Sequence, residues 1–324
     1  MAEALDPRSA LPRAELFNAK QLAEAKRQPL NDPNWSDVHD HLRADDPVLG
    51  LYLARRAWAL PWWMMAQPHV ANLVLDGRPI AVTLCHICST ATAFRAEVEG
   101  RPVKFRLRGA YNGTMLLADM TTDSLWSPSG VALAGTMRGS QMERLPLSLC
   151  LWGEWLQMHP TTMVPYADPA ARRTGHSLPG GPGIPPKIHA TLARPLDERL
   201  PHNTLVLGVV NGDRARAYPL QALANVGPVL NDSLGGIEIV VRRRPGTLQA
   251  LAFYRRIGER VLEFACSETG SVHDRQTGSA WNEMGEAVSG PLAGEQLAYI
   301  ESGVGEWYSF AAAHPDAEIF GDMT

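Results

Sequence analysis

Cys85-His86-Ile87-Cys88 is the segment of this chain best equipped for chemistry. Two thiolates separated by two residues can grip one soft metal ion from a single turn, and copper(I), iron and zinc all accept such ligands. No second Cys-x-x-Cys completes a zinc-finger set, so a coordination position stays open, as it does at catalytic sites. His69 is the expected third ligand. If strands over 70–75 and 80–84 pair across the Asp76-Gly77 turn, His69 lands beside Cys85 at the open end of the hairpin. His86 is placed to coordinate or to carry a proton. The same cysteines can instead cycle between dithiol and disulfide. The residues that follow, Ser89-Thr90-Ala91-Thr92, are strand-like rather than helical, which ranks metal above thiol exchange. A third reading makes the pair small core residues.

Other residues group around this segment. Arg106, Arg108, Tyr111 and Asn112 fall in an insertion between the thiols and Asp119. The arginines and Asn112 are candidate substrate binders, an arginine suiting a carboxylate, and Tyr111 joins His86 as a candidate catalytic group. Trp62-Trp63-Met64-Met65 reads as core, or as the wall of a pocket beside the thiols. His39 and His41 form a His-x-His in a polar stretch and read as surface residues. His176, His189 and His202 are expected to face solvent. Cys150 reads as core; Cys266 is ambiguous. Arg242-Arg243-Arg244 reads as a solvated strand end. No dinucleotide or phosphate-loop glycine pattern and no nucleophile elbow is present.

The elements that position these residues occur twice. Asp119-Met120-Thr121-Thr122-Asp123-Ser124-Leu125-Trp126 returns as Asp274-Arg275-Gln276-Thr277-Gly278-Ser279-Ala280-Trp281. Gly135 matches Gly290, Trp152 matches Trp307, and His159-Pro160 matches His314-Pro315. Upstream, Val48-Leu49-Gly50 matches Val206-Leu207-Gly208. The second copy lacks the thiols but keeps the Asp and Trp. The Asp-Trp segment is therefore expected to be a structural turn over a buried indole. The matched histidines are expected to cap helices.

Short β-branched runs over 48–52, 70–75, 80–84, 91–98, 103–107, 116–119 and 131–136 predict strands, and 151–158 predicts a helix. In the second copy 206–210, 237–241, 250–254 and 261–264 predict strands, and 307–313 the closing helix. Residues 12–27 have helical spacing. The Pro- and Gly-rich stretch over 160–200 predicts a connector without regular structure. The expected organisation is a helical extension over 1–45, a thiol-bearing repeat over 46–160, a linker over 161–203 and a second repeat over 204–324. The fold class is β-rich α+β: two homologous mainly-β repeats with short closing helices, packed pseudo-symmetrically.

The chain has 324 residues, 20% charged and 45% hydrophobic, so it can bury a large core without a disulfide framework. A net charge of -4 argues against nucleic acid as a partner. The first residues lack the pattern of a secretory signal and no run is long enough to span a bilayer, so the cytoplasm is the expected setting and no membrane partner is expected.

Gly50, Ala57, Ala59 and Pro61, then Val82, Thr83, Cys85, Cys88 and Phe94, then Asp119, Thr122, Ser124, Trp126, Gly130, Ala132, Gly135 and Gly139 make up a composite pattern. In it the chain resembles the bacterial DUF3179 family, over most of residues 46–320. The resemblance supports the repeat boundaries and implies no activity. The family's usual proline after the first cysteine is His86 here, and the usual secretion signal is not seen. The residues alone lead to a metal-dependent oxidoreductase acting on a small polar substrate. Cys85, Cys88 and His69 hold copper, with iron or zinc as alternatives. A metal-carrying protein or a thiol–disulfide oxidoreductase are the competing expectations. Oligomeric state is not specified.

Overall fold

A computed structural model describes residues 28–168 and 183–321, with the backbone of Phe17–Asn18. Each repeat is built from three small antiparallel units. In the first repeat, Pro47–Leu53 pairs with Arg56–Pro61 and with Ser148–Leu151. Val70–Leu75, Arg78–Cys85 and Thr90–Arg95 form a meander. Phe105–Tyr111, Thr114–Asp119, Leu125–Trp126 and Ala132–Ala134 form the third unit. The second repeat follows the same order. Leu205–Asn211 lies between Arg214–Pro219 and Ser302–Glu306. Val229–Leu234, Ile237–Arg243 and Ala250–Tyr254 make the meander, and Phe264–Cys266 opens the last unit. Trp152–Met158 and Trp307–Ala313 are the matching closing helices.

The repeats share one core. Leu49, Leu60, Val82 and Leu84 of the first pack in a single buried cluster with Leu207, Ile239, Val241 and Val304 of the second. Alternation explains this. Val82 and Leu84 point into the shared core, whereas Ala81 and Cys85 point into a second cluster, made mostly of first-repeat residues with Tyr308 of the second. Each closing helix presses an aromatic ring onto a strand glycine. A Cβ at Gly50 would sit 2.3 Å from the Trp155 ring, and one at Gly208 would sit 2.2 Å from the Phe310 ring. The recurrence of Gly50 and Gly208 in the sequence thus reports close backbone approach.

Several expectations need correction. The helix expected over 12–27 lies outside the described residues except at Phe17–Asn18. That segment is a strand paired with Gly109 and Ala110, so edge pairing overrides helical spacing there. The run expected over 261–264 splits into Arg260–Val261 and Phe264–Cys266. The connector holds one helical turn, Pro186–His189, started by the fixed φ of Pro186 at its first position. His176 lies outside the described residues; His189 and His202 are exposed.

Candidate functional site

Cys85 ends its strand paired with Thr90, so residues 86–89 form the loop of a tight hairpin. Ser89 closes the loop in the left-handed region, at φ 53°. This geometry turns Cys88 back under Cys85. Both thiols are buried, at 5% and 0% exposure, and they hydrogen-bond to each other. His69 stands where strand pairing predicted. Its carbonyl accepts the Leu84 N–H at 2.8 Å, and its Nδ1–H donates to the Leu84 carbonyl at 2.8 Å. That bond leaves Nε2 as the ring's second nitrogen. The His69 ring stacks on His86 at 4.9 Å. His69, Cys85, His86, Thr114, Lys187 and Ile188 line a cavity of about 230 Å³.

The two sulfurs differ in charge. Burial opposes a Cys88 thiolate, but hydrogen bonds from Cys85, Thr114, Thr90 and Ser309 outweigh it and bring its pKa down to about 6. The Thr114 Oγ1 lies 3.5 Å from the Cys88 sulfur. The sulfur's 3.9 Å approach to the Cys85 carbonyl is too long to hold the proton on Cys88. Cys85 is pushed well above its ordinary value by its bond to Cys88, by burial and by the Cys88 charge. The pair thus shares one proton and one negative charge.

The second repeat completes this arrangement. The Glu306 N–H donates to the Cys88 carbonyl at 3.0 Å, and the Ser89 hydroxyl donates to Glu306 Oε1 at 3.1 Å. Ser309 and Tyr308 come from the first turn of the second closing helix. Burial, then the charges of Cys88 and Cys85, raise the Tyr308 phenol. The reverse contact exists with different chemistry. The hairpin of the second repeat meets the first closing helix through Arg244, whose Nη2 donates to Gln157 at 3.3 Å. Tyr308 and Ser309 stand where the first copy has Gly153 and Glu154. That difference between copies was the available signal for both. Thr90 and Thr114 carried none beyond proximity to the thiols.

The remaining candidates separate. Arg106 is ion-paired with Asp123 and lines neither cavity at the thiols. Arg108 lines neither as well. Tyr111 and Asn112 line a larger cavity on the other side of the thiols. Asn112 is a strut: its amide donates to the Ala312 carbonyl at 2.8 Å, and its side-chain oxygen accepts the Ala193 N–H at 3.2 Å. Trp62 and Met65 are core residues, at 1% and 0% exposure. His41 is buried rather than on the surface, packed edge-on against Trp63, and burial lowers its pKa. Arg242 is likewise buried, and burial pulls it down to about 10, so it is no solvated strand end. His159 and His314 stand at the C-caps, each ring against the aromatic of its own helix. Cys150 is buried and Cys266 exposed. Among the described residues, no group of three or more His, Cys, Asp or Glu side chains is arranged to hold a metal ion.

The profile described as "Protein of unknown function (DUF3179)" matches residues 29–179 and again 182–324. The chain belongs to that family and carries two copies of its domain. No curated protein and no solved structure matches the chain.

Proposed function

We propose that this protein is a dithiol redox protein acting on a small molecule, with Cys85 and Cys88 as the reacting pair. The observation that carries the reading is two buried sulfurs hydrogen-bonded to each other, with Cys85 on a half-open cavity and Thr114 against Cys88. Such an arrangement holds one sulfur ready to attack and the other ready to resolve. The substrate class is a low-molecular-weight disulfide. As the Cys85 sulfur attacks, its proton passes to Cys88. The substrate S–S bond breaks, a Cys85–S–S–R bond forms, and one thiolate leaves. That thiolate takes the proton from Cys88. The Cys88 thiolate then attacks the Cys85 sulfur, closing the protein disulfide and expelling the second thiolate. Two electrons pass from the dithiol to the substrate. His86 and His69 share the cavity with Cys85, where an imidazole serves proton transfer. A cytoplasmic setting, with reductants that restore the dithiol, fits this cycle. The partner is a small molecule rather than nucleic acid or membrane. Among the described residues no helix is long and apolar enough to cross a bilayer.

The test uses hydroxyethyl disulfide. Wild-type protein is expected to release mercaptoethanol in proportion to protein and to acquire a Cys85–Cys88 disulfide, read by peptide mass. Cys88→Ser is expected to form a mixed disulfide on Cys85 more slowly, for want of the proton acceptor, and to stop there. Oxidation confined to Cys266 overturns the reading.

A second reading keeps the soft metal. His69 lines the cavity beside Cys85 and its Nδ1 is fixed by the Leu84 carbonyl, as an outer hydrogen bond fixes a ligating imidazole. Copper(I) suits two sulfurs and one imidazole, with iron and zinc as alternatives. Cys85, Cys88 and His69 would hold the ion, which would supply one-electron chemistry. It ranks second because these three are not arranged as a ligand set among the described residues.

A further inference from the structure

Behind the thiol hairpin lies a second and larger cavity of about 380 Å³, between the repeats. Its first-repeat wall includes Tyr111, Val131 and Leu133, and its second-repeat wall Val206, Val210 and Phe310. The second-repeat strands are bare at this place. Gly208 pairs with Gly303, and both face the space. The matching position of the first copy, by the alignment through Trp152 and Trp307, is Ser148. A Cβ at Gly303 would meet nothing closer than the Ala91 carbonyl oxygen at 3.7 Å.

The charged groups of the cavity hold contacts within the protein. Arg144 pairs with Glu301 at 3.2 Å and also donates to the Ser302 carbonyl at 3.4 Å. Glu306 accepts from Ser89. At the other end stand Thr90, Thr114 and Ser309, the same hydroxyls that surround Cys88. The volume lies in the range of small-molecule sites, and its lining is apolar with a few convergent hydroxyls.

We propose that this inter-repeat cavity binds an uncharged, largely apolar small molecule, its polar end on the Thr90–Thr114–Ser309 hydroxyls. A negative charge on the ligand would be desolvated there beside the Glu306 carboxylate, with the Arg144 guanidinium already paired to Glu301. Gly303 leaves room for the ligand, whereas Gly208 is kept bare by the Phe310 ring. Thr114 and Met115 line both cavities, so one hairpin separates this ligand from the space beside Cys85. That the ligand serves as a reactant rests on the dithiol reading; its binding does not.

The probe is N-phenylnaphthylamine, whose fluorescence rises on entering apolar sites, added to the full chain. Saturable one-to-one binding is expected. Gly303→Leu and, from the opposite wall, Leu133→Trp are each expected to weaken it by about 10-fold or more, with cooperative thermal unfolding retained. The sulfonated analogue, anilinonaphthalene sulfonate, is expected to bind about 10-fold more weakly than the uncharged probe. The Cys85→Ser/Cys88→Ser protein is expected to bind like wild type, so a failure of thiol chemistry leaves this site standing. Absence of saturable binding, binding untouched in both folded filling variants, or equal binding of the sulfonated analogue overturns the proposal.

Discussion

Asp119→Ala is expected to destabilise the fold by about 3–5 kcal/mol, lowering the thermal midpoint by roughly 5–15 °C. Asp119 is 1% exposed and accepts bonds from the Thr121, Thr122 and Ser124 N–H groups, the Thr122 hydroxyl and the Trp126 indole N–H. Removing the carboxylate strands the indole N–H in the interior and leaves the Ser124 N–H only the Thr122 hydroxyl at 3.3 Å. Buried orphan donors cost more than a lost surface bond. Asp274→Ala is expected to act alike, because Asp274 holds the Thr277 N–H and hydroxyl and the Trp281 indole in the same way. The measurement is thermal unfolding of both variants beside activity toward hydroxyethyl disulfide. An Asp119→Ala protein with an unchanged midpoint and no activity would make Asp119 catalytic and sink the structural account.

Thr114→Val and Ser309→Ala are expected to raise the Cys88 thiol from about 6 to roughly 7 for one lost donor and higher for both. Each hydroxyl stabilises the thiolate without touching the thiol form, so its loss favours the proton. The Cys88 thiolate fraction at neutral pH falls accordingly, and closure of the protein disulfide by Cys88 slows in parallel. The readout is ultraviolet thiolate absorbance against pH, taken as the difference from Cys88→Ser. The sign also sets a stability trend. The Cys88 pKa is lower in the folded state than its ordinary value of roughly 8.5. Its contribution is therefore complete above that value and is lost as pH falls through about 6. An unchanged midpoint in the double variant would show that the two hydroxyls do not hold the thiolate.

The repeat was legible because glycine, aspartate and tryptophan recur where backbone contact and buried hydrogen bonds leave no substitute. Gly50 and Gly208 lie under aromatic rings, and Asp119 and Asp274 hold indoles. The place of His69 beside Cys85 was legible from the Asp76-Gly77 turn, which pairs Val70–Leu75 with Arg78–Cys85. Its role was not, because the Nδ1 bond to Leu84 depends on a left-handed backbone at His69, φ 61°, that no spacing rule encodes. The Arg106–Asp123 pair was not legible, because charge composition does not say that Asp123 lies beside it. Ser309, Tyr308 and Ile188 were missed for a common reason. They reach the thiols from the second repeat and the connector, and contacts of such sequence separation leave no local pattern. The connector in particular read as featureless from its prolines. One of them starts the helical turn that closes the smaller cavity.

The most direct measurement equilibrates the anaerobically purified protein, without a metal-affinity tag, in buffers of graded thiol–disulfide potential. Intact mass and elemental analysis are then read on the same samples. The account predicts a single two-electron transition, a mass loss of two hydrogens mapped to Cys85 and Cys88, and no stoichiometric metal. One equivalent of copper, iron or zinc that disappears in Cys85→Ser/Cys88→Ser, with both thiols staying reduced across the range, would contradict it and return the site to metal chemistry.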